Sequence, residues 1–216
     1  MSLRTWLSEL PALDRDALVA FDPDAAPENP AELFTDWLQL AADRGLPLPH
    51  ALNLATATPG GEVGARTVIL KDLTDGDWVI ATDARSPKAE AVAANPLAAL
   101  TAFWAPIGRQ VRIGGPVRDL GDEAAAADFL ERHPGARAAT MTGVQSEPLE
   151  SMETYDRAYA EARDAVEREP GRVPPTWRCY AIAATTVEFW AARPGGGQIR
   201  LRYALEGTWR RGLVWP

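Results

Sequence analysis

Apolar residues change their spacing several times along this chain, and each change marks an element. Residues 1–30 keep no sustained period; rich in Pro, Asp and Ala (FDPDAAPENP), they predict an extended arm with turns. Trp6 and Leu7 are placed to anchor that arm on a neighbouring surface. From Ala31 to Arg44 the spacing becomes helical, with Leu33, Trp37, Leu40 and Ala41 on one face and Gly45 closing the helix. The period then drops to two. ALNLATAT (51–58), a Gly60-Gly61 turn, GARTVILKDL (64–73), an Asp75-Gly76 turn and WVIAT (78–82) predict a three-stranded meander.

Ser86 opens a short helix that ends near Asn95-Pro96, and two strands follow at 98–105 and 108–120. Asp122 is placed to cap a helix running to Arg132. A small-residue loop (135–144) leads to a charged helix from Ser151 to Arg168. CYAIAATTVEFWAA, IRLRYALE and TWRRGLVWP complete the chain as three strands. Six to eight strands with mostly short connections predict a mainly β fold, a barrel with helices packed around its edges.

Composition narrows the function. A chain of 216 residues with 46% hydrophobic positions can bury a sizeable core, and the −8 net charge gives no support to nucleic-acid binding. The one cysteine, Cys179, excludes an internal disulfide and a multi-cysteine zinc site, so no metal is expected; it reads as a small buried hydrophobe. No apolar run is long enough to span a membrane, and the N-terminus has no signal-peptide core, so the chain is expected to be cytoplasmic. Of 22 cations only Lys71 and Lys88 are lysines, both in one short stretch. His50, His133, Trp37 and Trp78 are read as structural.

Several residues carry candidate chemistry. In a strand, Arg66, Val68 and Leu70 share one face and Thr67, Ile69 and Lys71 the other, so Arg66 and Lys71 are expected to point opposite ways. Ser86 and Lys88 stand at a helix start, where free N–H groups favour an anion, although an ordinary N-cap is the more common case. Gln110 puts an amide on a strand built for burial, and Gln145-Ser146 offers donors after a loop.

The order of these pieces is more specific than any one of them. RTVILK, T-D-x-x-S-x-K-A, N-P-x-A-A-L, F-W-x-x-x-x-R-Q-V-R-I-x-G, Q-S, P-P-x-W, V-E-F-W and a terminal W-x-x-x-L-x-x-P succeed one another over residues 31–216. Together they resemble the pyridoxamine 5′-phosphate oxidase family. The resemblance implies one FMN-binding split β-barrel domain (31–216) behind the arm, in a homodimer with FMN at the interface. It implies that Arg66, Lys88, Gln145 and Ser146 hold the FMN phosphate, and that Val68, Ile69 and Leu70 lie along the flavin. Lys71 and Gln110 would approach the ring's polar edge, with Thr82, Trp190 and Arg200 as further contacts. The implied reaction passes a hydride from substrate C4′ to flavin N5, forms pyridoxal 5′-phosphate, and returns electrons to dioxygen as hydrogen peroxide.

On the substrate side the sequence departs from the family pattern. Lys71 and Arg132 match the phosphate clamp, but Asp128 replaces its Tyr and Ala136 its Ser, and an aspartate repels a phosphate. The family's R-x-H-x-R becomes Gly196, Gln198 and Arg200, leaving Gln198 and one cation. A slip in this loop would bring Arg193 or Arg202 to the pocket instead. Ala81 and Pro87 are smaller departures in the flavin shell. These departures keep open an FMN-dependent oxidoreductase acting on another small molecule, as in phenazine biosynthesis, and a non-catalytic flavin-binding protein.

Overall fold

The computed structural model describes residues 1–143 and 145–216; Val144, the last residue of the predicted loop 135–144, lies outside the described residues. The nine strands among them are β1 (Ala51–Ala57), β2 (Val63–Thr74), β3 (Asp77–Asp83), β4 (Leu97–Trp104), β5 (Arg109–Asp119), β6 (Trp177–Ile182), β7 (Thr186–Ala192), β8 (Gln198–Glu206) and β9 (Thr208–Leu213). The helices are α1 (Leu3–Ser8), α2 (Pro30–Asp43), α3 (Pro87–Ala94), α4 (Gly121–Glu131), α5 (Pro134–Thr140) and α6 (Met152–Arg168). They form two compact units, one of Met1–His50, Thr101–Arg112 and Thr186–Pro216, the other of Ala51–Leu100 and Ile113–Thr185.

The second unit is the barrel. Its strands pair in the order β4-β1-β2-β3-β6-β5, and a β4–β5 pairing closes the ring. Trp78, Leu52, Leu54, Leu100, Ile113 and Ile182 are its fully buried side chains, drawn from alternate strand positions as the period-two pattern predicts. α4 packs Ala125 and Phe129 against Trp177, and α5 and α6 meet through Ala138, Ala162 and Val166. Buried Cys179 packs with Val79 and Ala181, and burial pushes its thiol up to about 11, as suits an inert hydrophobe.

In the first unit α2 starts where Asn29 caps Ala31 N–H (3.0 Å). Its Trp37 meets Phe21 edge-on at 5.1 Å and Phe189 of β7 at 5.1 Å, and Phe189 continues to Tyr203 of β8 at 5.6 Å. β7, β8 and β9 form an antiparallel meander in which Glu188 faces Arg202 and Trp190 faces Arg200. Arg109 is buried in this aromatic cluster, 4.9 Å over Trp37, and donates to the Val19 carbonyl at 2.6 Å. Burial lowers its pKa to about 10. The arm is tied down where Tyr203 Oη donates to Pro27 O and Arg211 to Pro23 O, both at 2.7 Å.

Four local expectations change. The arm carries a short helix, α1, because Ser2 caps Thr5 N–H (3.2 Å), and Trp6 and Leu7 on it are exposed. Residues 134–140 of the predicted loop are helical, nucleated by Pro134 in the first turn and by His133 Nδ1 accepting from Gly135 N–H at 3.2 Å. α4 begins one residue before Asp122, and Asp119 rather than Asp122 accepts the first free N–H, that of Gly121 (2.8 Å). The run CYAIAATTVEFWAA is two strands, since the Ala183 and Thr185 amides turn to Pro116 O and Gly114 O at 2.9 Å. A Cβ on Gly115 would collide with the Ala183 carbonyl, so this close approach requires glycine. No helix among the described residues is long and apolar enough to cross a membrane.

Candidate functional site

The site grows from β2, the barrel strand with the fewest buried side chains. β1 pairs it in unbroken register from Ala51↔Ile69 to Ala57↔Val63. Against β3 the register slips between Leu70 and Asp72, which leaves Lys71 as the bulged residue. A bulge re-aims a side chain, and Lys71 lines a cavity of about 500 Å³ with Thr67, Val68, Ile69, Ala81 and Thr82. Lys88, Arg132, His133, Ala136 and Gln145 complete the lining. A second cavity of about 630 Å³ shares Ala81, Thr82, Arg132, Ala136 and Gln145 and extends to Tyr155 and Trp177.

Lys88 of the lining and Arg66 near it have no counter-ion among the described residues. α3 is capped by Ser86, and its first turn buries Lys88 to 7% exposure. Lys88 Nζ donates to two neutral oxygens, Thr82 Oγ1 and Gln145 Oε1, each at 2.9 Å. Arg66, opposite Leu54 in the β1–β2 ladder, donates to Thr56 Oγ1 at 2.9 Å. Among the described residues neither cation has a carboxylate within ion-pair distance. Burial, and then the Arg66 charge, hold the Lys88 ammonium below the usual lysine range; Asp83 opposes them but is bonded to Arg85 and Thr176. A buried lysine and a half-buried arginine that repel each other, with neutral hydroxyl and amide neighbours, are the donor set a phosphodianion needs, so these residues fit the phosphate of FMN.

Lys71 and Arg132, in the same lining, are compensated. Asp128 on α4 reaches Lys71 Nζ with Oδ1 at 3.0 Å and accepts the Trp177 indole N–H on Oδ2 at 2.9 Å. Arg132 lies 4.4 Å over the Trp177 ring and donates to Ala136 O and Thr140 Oγ1, both at 3.1 Å. Its Nε is buried without a partner. Burial lowers the Arg132 pKa, and Asp128 opposes that shift.

The remaining expected site residues fall elsewhere. Leu70 is half-buried outside the lining, and Ser146 is exposed next to Gln145 with a left-handed φ of 72°. Gln110, Trp190, Gln198 and Arg200 belong to the first unit, all half-buried. There Trp190 Nε1 donates to Gln198 Oε1, and Arg200 binds Glu188 at 2.9 Å. Arg202 pairs with the same carboxylate at 2.9 Å, in an unbroken β7–β8 register, so no slip frees it. Burial alone would raise the Glu188 pKa, but bonds from Arg202 and Arg200 hold it below the usual carboxylate range. Alternation along β2 places Thr67 beside Lys71, and the sequence marks Ala81 as a departure in the flavin shell and reads His133 as structural; all three line the cavity. Glu188, which binds Arg200 and Arg202, was not singled out and carries no local signal.

A closed six-stranded barrel and a C-terminal antiparallel meander define the class: a split-barrel protein. The family model "Pyridoxamine 5′-phosphate oxidase" matches residues 38–190, and "Pyridoxine 5′-phosphate oxidase C-terminal dimerisation region" matches 177–216. This chain belongs to the pyridoxamine 5′-phosphate oxidase family. It is 37% identical over 194 residues to the pyridoxine/pyridoxamine 5′-phosphate oxidase of Rubrobacter xylanophilus, covering 89% of each chain. It is 38% identical over 199 residues to that of Thermosynechococcus vestitus, covering 90% of this chain and 92% of the other. Among solved structures, PhzG from Burkholderia lata, in complex with tetrahydrophenazine-1-carboxylic acid, superimposes with a TM-score of 0.85 at 26% identity, over 95% of this chain and 100% of that one. A pyridoxamine 5′-phosphate oxidase-related, FMN-binding protein from Nostoc punctiforme shares the fold, with a TM-score of 0.70 at 20% identity over 88% and 98% of the two chains.

Proposed function

We propose that this chain is a cytoplasmic, homodimeric, FMN-dependent oxidase of small molecules. The observation that carries the reading is the buried Lys88 in the cavity lining with Arg66 near it, two cations that have no carboxylate partner among the described residues. Arg66, Lys88, Gln145 and Ser146 hold the FMN phosphate, with Thr82 fixing the Lys88 ammonium. Val68, Ile69 and Leu70 form the wall beside the ring, and Lys71 brings positive charge to its polar edge. Once bound, FMN supplies an acceptor of two electrons and a proton at N5 and passes the electrons on to dioxygen. The chain positions the donor carbon and excludes water, and no strong side-chain acid or base is required.

Gln110, Trp190, Gln198 and Arg200 complete the site from the partner subunit. The dimerisation-region match over 177–216, which contains the last three, supports this. Lys71, Arg132 and Gln198 face the substrate. The similarity to named pyridoxine/pyridoxamine 5′-phosphate oxidases favours the phosphorylated vitamin as that substrate. A second reading, another small molecule of the kind bound by PhzG, is favoured by Asp128 occupying Lys71. Anaerobic mixing of the FMN-loaded protein with pyridoxine and pyridoxamine phosphates tests both. Bleaching that recovers in air supports the vitamin oxidase. A flavin that stays yellow rejects the vitamin and directs the search to other reductants, and failure to take up FMN would sink the cofactor assignment itself.

A further inference from the structure

We propose that Glu188 is a positioning residue for flavin binding: it fixes the guanidinium of Arg200 on one face of the C-terminal meander before FMN arrives. The inference rests on the reading that Arg200 meets the flavin from the partner subunit. In the β7–β8 register Glu188 stands opposite Arg202 and Trp190 opposite Arg200, so these four share a face, with Glu188 and Arg200 as diagonal neighbours. The other face carries the buried Val187, Phe189, Leu201 and Tyr203. A carboxylate that is 7% exposed and lies away from that apolar core needs partners to keep its charge. Glu188 keeps it against its burial because Arg202 and Arg200 bond to it.

Three guanidiniums share this carboxylate. Arg200 donates to Oε1 at 2.9 Å, Arg202 donates to Oε2 at 2.9 and 3.2 Å, and Arg112 of β5 lies 3.5 Å from Oε1. Among the described residues none of the three has a second carboxylate within ion-pair distance, so the cluster keeps an excess of positive charge. The three arginines are not held alike. Arg112 and Arg202 are exposed, whereas Arg200 is half-buried and its Nε is buried without a partner. Val214 N–H donates to Arg200 O at 3.0 Å, which ties the backbone and leaves the side chain free to turn. Glu188 is the only side chain bonded to Arg200 among the described residues, since the neighbouring Trp190 indole N–H goes to Gln198. One carboxylate therefore decides where the Arg200 fork points and leaves Nε unspent for an anion. Cancelling repulsion among the arginines is the alternative role, and the sign of one substitution separates the two. If Glu188 only cancelled charge, its neutralisation would strengthen the attraction for anionic FMN. If it positions Arg200, the same change weakens binding.

Fluorescence titration of FMN into the flavin-free full chain measures this. Glu188→Gln should weaken FMN binding about fivefold or more, and Arg200→Ala at least as much. The double variant should bind within about twofold of Arg200→Ala, because Glu188 acts through Arg200. The midpoint potential of the bound flavin, which a mere loss of fold stability would not move, should fall in Glu188→Gln although a negative charge has been removed. Unchanged or tighter binding in Glu188→Gln, a potential that rises, or two effects that add in full each overturn the proposal and leave the FMN assignment standing. Wild-type affinity in Arg200→Ala overturns it as well and removes Arg200 from the flavin site. A wild-type chain that takes up no FMN overturns the proposed function and this inference together. Should Glu188→Gln fail to fold, nuclear magnetic resonance of the wild type with isotope-labelled arginine decides. The Arg200 Nε–H signal, identified by its absence from Arg200→Ala, should be rigid before FMN is added, and a mobile signal overturns the proposal.

Discussion

Two pairs of cations in and near the cavity are treated in opposite ways. Arg66 and Lys88 face only neutral oxygens, and their repulsion and burial make the Lys88 ammonium less favourable than in water. Lys71 and Arg132 are supported by a carboxylate and an indole. An uncompensated buried cation lowers stability until an anion arrives, so the first pair is poised for an anionic ligand, while the second is partly compensated before the substrate it is proposed to meet. What distinguishes the proposed phosphate cluster is therefore the missing counter-charge, and not the number of cations.

The contrast is sharpest at Lys88. Lys88→Glu should weaken FMN binding by about 3 kcal/mol or more, by losing a charge-assisted bond and adding repulsion toward the phosphate. Fluorescence titration of the flavin measures it, and retained affinity would break the comparison outright. Arg66→Ala should cost about 1.5–3 kcal/mol in the same titration. At the compensated pair the effect is on stability. Trp177→Phe keeps the ring under Arg132 but removes the donor to Asp128, and should lower unfolding stability by about 1 kcal/mol in a denaturant melt.

A subtler consequence follows from the direction of the Lys88 shift. Between its folded value and the ordinary 10.5, the unfolded chain binds more protons than the folded one. Stability of the flavin-free protein should therefore rise with pH across that window and be lowest below it. Tyr180, Tyr203 and Cys179 titrate with shifts of the opposite sense, so the wild type must be compared with Lys88→Met, which should lack this rise. An identical slope in both proteins would rule out Lys88 as the source. The smallest expected effect is a null. Arg132→Ala should leave FMN affinity within about 0.5 kcal/mol, the range of a substitution away from the contact, and loss of flavin would place Arg132 in the wrong pair.

Much of the barrel was legible in the sequence, because alternation along β1 and β4 and the Gly60-Gly61 and Asp75-Gly76 turns are local signals. α5 was not, since a stretch of Ala, Gly and Thr suits a loop or a helix until His133 caps it and α6 packs on it. The break between β6 and β7 was hidden inside a continuous apolar run and is set by Gly115 approaching from β5. Arg109 carried no sign of burial, because its aromatic cage comes from Phe21 and Trp37, far away in the chain. At the candidate site, order and residue type pointed to Arg66 and Lys88. Asp128 was visible as a departure, but nothing in the sequence showed which cation it holds.

The sequence by itself determined most of the element types, the family and the supply of cations, since periodicity, turn chemistry and motif order are written in neighbouring residues. The tertiary structure decided which charges are cancelled and which stay open. That outcome depends on distances between side chains remote in the chain, such as the 3.0 Å between Lys71 and Asp128, and on how far each is removed from water. Coulomb energy and desolvation are set by positions in space, and only folding fixes those positions.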